Sequence, residues 1–254
     1  MLNFFRNIRR KYANENSFVK YSRYAIGEIL LVVVGILIAL QVNTWNEERK
    51  AHNEELVLLK ILKTDFENRL NELVYLNKGR HDAAFACEKL IKISETEIIT
   101  LTSDEIDSLL VNVTLTYRFN EKFSTLDMLF NSGRINTLSN EPLKYLLVNW
   151  PSLVEEMLEE QRLIVDNYSD IVKAMNPYVS MNDVFQKFSW NNIQMPDIKK
   201  SKIKKDYEGL FRDRSFKNLI ASKRFLLYVN IADANNIITD AKKIIELINQ
   251  IIEN

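Results

Sequence analysis

Twelve apolar residues run unbroken from Ile29 to Leu40, within the stretch YAIGEILLVVVGILIALQVNTWNEERK of residues 24–50. A helix made from this run is apolar around its whole circumference. It must therefore lie in lipid, be cut off as a leader, or be buried entirely inside a fold. Between Tyr24 and Val42 the strongly polar residues are Glu28 near one end and Gln41 at the other. Tyr24 to Trp45 spans roughly 31 Å at the helical rise, close to the thickness of a bilayer's hydrocarbon core. Tyr21, Tyr24 and Trp45 fall where interfacial aromatics sit. A cleaved leader wants small residues at the −1 and −3 positions, yet Leu37 stands at −3 relative to Ala39, and no lipobox cysteine is present. The reading is an uncleaved single-pass anchor over residues 24–45.

Orientation follows from charge. Residues 1–23 hold Arg6, Arg9, Arg10, Lys11, Lys20 and Arg23 against Glu15, a balance of +5 within a chain of formal net charge zero. By the positive-inside rule this flank stays in the cytoplasm and the C-terminal body lies outside. Met1, Phe5, Ile8 and Tyr12 recur at spacings of 4, 3 and 4, with Arg6, Arg9 and Arg10 elsewhere around the helix. Residues 1–12 are then either a short basic helix in the headgroup region, with Phe5, Arg9 and Arg10 at the interface, or only a charged topology signal.

Glu28 admits three readings. Near the headgroups, in the first turns of the span, it is wetted or protonated. Alternatively, Glu28, Val32, Gly35 and Ala39 share one face, and Gly35-x-x-x-Ala39 is a small-xxx-small pair that lets another helix approach closely. The partner is then a second copy or another membrane protein. The third reading is an ion-coupled role like that of an acidic residue in a motor stator.

The remainder reads as helices. Only 5 Gly and 4 Pro occur in 254 residues, which favours a few long helices over many short strands. Leu56, Leu59, Leu62, Phe66, Leu70 and Leu73 recur at steps of three and four, continuing the span as a stalk that Gly79 interrupts. Thr102-Ser-Asp-Glu105 is a capping box that opens a helix through Val113. A helix then runs into Gly133, and Ser139 or Asn140 caps the next, which holds Glu141 and Pro142 in its first turn. This hairpin resembles a DNA-reading helix-turn-helix only superficially, since its second helix offers Glu141 and Lys144 rather than a basic face. The following helix runs past Pro151 towards Met175, before Pro177. Leu227, Ile231, Ala234, Ile238, Ala241, Ile245, Ile248 and Ile252 step 4, 3, 4, 3, 4, 3, 4, widened by Ile237, Ile244 and Ile251. Three apolar columns suit a multi-helix bundle, packed antiparallel to the stalk, rather than a two-stranded coil. Pro196 and Lys199, Lys200, Lys202, Lys204 and Lys205 mark a looser stretch, either a solvated loop or a surface for an anionic partner such as a lipid headgroup.

Two stretches, residues 24–50 and STLDMLFNSGRINTLSNEPLKYLL, resemble the hallmark segments of a bacterial family of unknown function. Its members combine an anchor of the G-E-I-x-L-V-x-x-G-I-L-I-A-L type with a helical domain. The resemblance implies a protein of a Gram-negative inner membrane and supplies no activity, substrate or catalytic residue.

Familiar chemistry finds no foothold in the sequence. The single cysteine, Cys87, cannot form an internal disulfide. His81 and Cys87 are six apart, about 240° around a helix, and no H-E-x-x-H, C-x-x-C or glycine-rich phosphate loop occurs. Glu155-Glu156 and Glu159-Glu160 read as a solvated helix face. The expectation is an all-α chain with a basic cytoplasmic segment (1–23), a transmembrane helix (24–45) and an extracytoplasmic helical domain (46–254). It carries no cofactor, binds no nucleic acid and acts without catalysis, as a membrane-tethered scaffold. The alternatives are a ligand-sensing ectodomain or an ion-coupled subunit using Glu28.

Overall fold

The first helix, α1, runs from Phe18 to Ser94 without interruption. It belongs to a computed structural model that describes residues 18–96, 99–120, 122–190 and 193–253. The expectations for Phe5, Arg9 and Arg10 lie outside the described residues, as does the side chain of Tyr21. The chain divides into two units, Met1–Val57 and Leu58–Asn254. In the first, residues 29–54 are exposed on every side. Their helix is long and apolar enough to cross a membrane.

The second unit is all-helical apart from one small pairing. After α1 come α2 (Ser103–Thr114), α3 (Ser124–Asn131), α4 (Glu141–Met175), α5 (Met181–Phe185), α6 (Tyr207–Arg212) and α7 (Arg214–Glu253). Ser189–Trp190 and Ile193–Gln194 form a two-residue antiparallel pair between α5 and α6.

Local chemistry sets the helix ends. The capping box at α2 forms as expected: the Thr102 hydroxyl accepts from the Glu105 amide, and the Glu105 carboxylate accepts from the Thr102 amide at 2.8 Å. Gly133 takes the left-handed conformation, φ 71°, which turns the chain after α3. Ile135 and Leu138 bury the turn beneath it. Asn140, rather than Ser139, caps α4 by accepting from the Leu143 amide at 2.8 Å.

Gly79 does not interrupt α1. A Cβ placed there would lie 2.1 Å from Cε1 of Tyr117, so the glycine is a notch for a packed ring, and the helix passes through it intact. A single glycine costs a helix only about 1 kcal/mol, which the surrounding burial offsets.

Three long helices make the bundle of this unit. Phe66 and Arg80 of α1 meet Trp150 and Gln161 of α4, so these two helices run parallel. Asn77 and Glu88 of α1 meet Asn235 and Arg224 of α7, so α7 returns antiparallel. One core cluster gathers Leu58–Leu73 of α1, the α3–α4 turn and Ala234–Ile248 of α7 around the edge-to-face rings of Phe66, Phe123 and Trp150. The other sits at the α2 end, where Ala83, Ala84, Ala86 and Cys87 let neighbouring elements approach α1 closely. On α7 the fully buried column is Ile237, Ala241, Ile244 and Ile248, whereas Ile238 and Ile245 are only partly buried at its edge.

Candidate functional site

Between α2 and α3 the chain crosses the bundle without regular structure, and each long helix sends a buried polar side chain to its backbone. Arg80 of α1 donates through one guanidinium nitrogen to the Tyr117 carbonyl (3.2 Å) and to Gln161 (3.3 Å), and through the other to the Met157 sulfur (3.7 Å). Gln161 of α4 grips Phe119 at both ends, accepting its amide at 2.7 Å and donating to its carbonyl at 3.2 Å. Lys223 of α7 donates to the Leu115 carbonyl at 3.0 Å.

Two of these groups are cations. Arg80 is 1% exposed and Lys223 0%, and neither forms an ion pair among the described residues. Burial lowers Arg80 to about 10 and Lys223 to about 8. Close to Lys223, burial pushes the Cys87 thiol up to about 12, an inert thiol rather than a nucleophile. His81 is exposed while Cys87 is buried, so the two do not meet. No group of three His, Cys, Asp or Glu side chains suited to a metal ion exists among the described residues.

Beside the crossing segment lies a half-open cavity of about 370 Å³, lined by Val111, Leu115, Tyr117, Arg118, Tyr168 and Phe188 among others. Arg118 is exposed and has no ion-pair partner among the described residues. The cavity is thus an aromatic slot with one exposed cation in its lining. Arg80, Gln161 and Lys223 bond the Leu115 and Tyr117 carbonyls and both backbone groups of Phe119, which fixes the segment along this wall.

The family follows from a separate finding. A model of a family of unknown function, DUF6090, matches residues 28–221. The chain belongs to DUF6090. The DUF6090 match begins at Glu28 and reaches into α7, so it takes in the apolar helix from that residue, the capping box, the Gly133 turn and the crossing segment. No curated protein and no solved structure matches the chain.

Of the residues singled out in the sequence, Glu28, Gly35 and Ala39 do lie on α1, and among the described residues nothing beyond the helix's own backbone approaches a Cβ built at Gly35 within 4 Å. Trp45 is 64% exposed. The acidic pairs on α4 are not all solvated: Glu160 lies beside Asp233 of α7, whose carboxyl is raised by burial and by the Glu160 and Glu156 charges. The lysine-rich stretch is partly claimed by the fold as well. Lys205 is clamped between Asp107 (2.5 Å) and Asp183 (3.4 Å), and Lys200 reaches Asp104 at 3.7 Å. Burial works against the Lys205 ammonium, but the bond and field of Asp107 outweigh it and hold it above the ordinary lysine value. Arg80, Lys223 and Gln161 escaped the sequence reading. Their signal was available: Leu73, Asn77, Arg80, Ala84 and Cys87 step 4, 3, 4, 3, as do Phe216, Ile220, Lys223, Leu227 and Asn230, so polar residues occupy core positions in both.

Proposed function

We propose that this DUF6090 chain is a non-catalytic scaffold or assembly protein of the bacterial inner membrane. Residues 24–45 cross the bilayer, with the N-terminus in the cytoplasm and the helical body outside. The observation that carries the reading is that residues 29–54 of α1 are exposed on every side although twelve consecutive residues among them are apolar. Such a surface is stable in lipid or against other membrane helices and costly in water. The +5 segment preceding it supports the orientation. The open notch at Gly35, one turn from Ala39 and on the Glu28 face, supports association with a second copy or another membrane protein. Glu28 in this reading bonds across that seam; an ion-coupled use of the same carboxyl has no second observation behind it.

The reading is tested in two steps. Carbonate-washed membranes should retain the full chain, and protease added outside spheroplasts should digest the body. Cross-linked or detergent-extracted mass should exceed one copy and fall in Glu28→Gln and Gly35→Leu. Extraction by carbonate removes the anchor reading, and a mass unchanged by both substitutions removes the association.

The cavity favours a second reading, a ligand-sensing body. Its aromatic wall and the Arg118 rim suit a flat apolar molecule with one anionic group. Since ligands that bind only the folded state raise its melting temperature, thermal shifts of the full chain against aromatic carboxylates test it, with Arg118→Gln as control.

A further inference from the structure

Between the two-residue strand pair and α6 runs the segment MPDIKKSKIKK, residues 195–205. It holds Lys199, Lys200, Lys202, Lys204 and Lys205 against Asp197, a net charge of +4. Three large apolar side chains stand in water on it: Met195 is 41% exposed, Ile198 52% and Ile203 62%. A single exposed isoleucine needs no explanation, but three so close together on a short, strongly basic loop do.

The loop is held at two points, and they separate structural residues from displayed ones. The Ser201 amide donates to the buried Asp183 carboxylate at 2.8 Å, and Lys205 is locked between Asp107 and Asp183. The Asp206 amide donates to the Tyr178 carbonyl at 2.8 Å, fixing the exit. Lys202, Ile203 and Lys204 therefore bulge outward between two fixed residues. Lys199, Lys202 and Lys204 form no ion pair among the described residues, whereas Lys200 and Lys205 do.

We propose that this loop docks on an anionic lipid surface, with Met195, Ile198 and Ile203 entering the boundary between headgroups and acyl chains while Lys199, Lys202 and Lys204 meet lipid phosphates. Charge complementarity supplies the attraction, and the exposed apolar side chains supply what a purely electrostatic contact lacks. The interleaving argues for lipid over an acidic protein. Protein interfaces segregate an apolar centre from a polar rim, whereas here Lys202 and Lys204 flank Ile203 directly and Lys199 follows Ile198. A bilayer boundary takes both kinds at nearly one depth, because lysine stems lie along the apolar layer while their ammonium groups reach outward.

The full chain in nanodiscs of phosphatidylcholine, carrying Ile203→Cys labelled with an environment-sensitive fluorophore, tests this. Cys87 is buried and will not compete for label. Vesicles of phosphatidylcholine with phosphatidylglycerol, or nanodiscs of that mixture, should shift the emission to the blue in at least one arm, and high salt should reverse it. With each lysine near an anionic surface worth about fivefold in affinity, the Lys199→Gln/Lys202→Gln/Lys204→Gln variant should bind about a hundredfold more weakly. Ile198→Ser should keep salt-sensitive association while losing part of the shift. These lysines and Ile198 are exposed, so the variants should melt as the parent does. Emission unchanged in both lipid arms overturns the proposal. So does a shift with polyglutamate and none with vesicles, which would assign the loop to an acidic protein instead.

Discussion

Lys223 makes the chain's stability depend on pH in a direction opposite to that of most lysines. Its ammonium is fully buried, bonded to one carbonyl, and lowered from 10.5 to about 8 by burial. Below pH 8 both folded and unfolded chains carry the proton, and the folded state bears the whole penalty of about 3 kcal/mol. From pH 8 to 10.5 the unfolded chain holds the proton and the folded chain does not, so stability rises with pH. Between pH 7 and pH 9 the gain is about 1 kcal/mol, or about 2–4 °C in melting temperature for a domain of this size. Cys87 works the other way, since its raised thiol pKa favours the folded state less as pH passes 9. Its share over this window is less than about half a kcal/mol, and losing the Lys223 charge in Lys223→Met pushes the thiol further up, which changes that share little below pH 9. The variant removes the buried charge and strands the Leu115 carbonyl, a loss of about 1–2 kcal/mol, so at pH 7 it should melt slightly above the parent. Melting of the full chain in detergent, followed by near-ultraviolet circular dichroism from pH 7 to 9, should show the parent closing that gap by about 2–4 °C. Parallel curves for the two chains over the whole range would refute the assignment of a buried, uncompensated ammonium.

Two further substitutions probe the same body. Gly79→Ala should destabilise the chain by about 2 kcal/mol in denaturant titrations despite alanine's better helix propensity, because its Cβ would enter the Tyr117 ring. Combined with Tyr117→Ala the penalty should vanish, leaving the double variant no less stable than Tyr117→Ala alone; simple addition of the two losses would contradict the notch. Asp233→Asn should raise the melting temperature at pH 7, where the folded state resists ionising a half-buried carboxyl beside Glu160. The gain should shrink as pH falls from the raised folded value towards the ordinary aspartate value, below which the parent is neutral in both states; a gain that persists at pH 3 would point to packing rather than charge.

Periodicity and capping carry over from sequence to structure where one residue's own chemistry decides. The Thr102–Glu105 box, the left-handed Gly133 and the apolar face of α7 are of this kind, although the buried column on α7 takes in Ile237 and Ile244 and leaves Ile238 and Ile245 at its edge. Gly79 was misread because a glycine that ends a helix and one that admits a distant ring look alike until the ring is placed; Tyr117 lies far along the chain, and only the fold brings them together. The same holds for the parallel course of α1 and α4, which depends on how α2, the crossing segment and α3 fill the return path. Lys223 lies one helical step before Leu227, the first residue of the apolar stripe on α7. Extending that register through Lys223 to Phe216 places a cation at a core position. A polar residue on an apolar stripe marks a hydrogen bond made inside the core, to another helix for Asn77 and Asn230 and to an irregular segment for Arg80 and Lys223. Lys223 meets the Leu115 carbonyl and Arg80 the Tyr117 carbonyl. Arg80 and Lys223 are therefore best understood as donors to two carbonyls that no helix or strand bonds, in a segment that also lines the aromatic cavity.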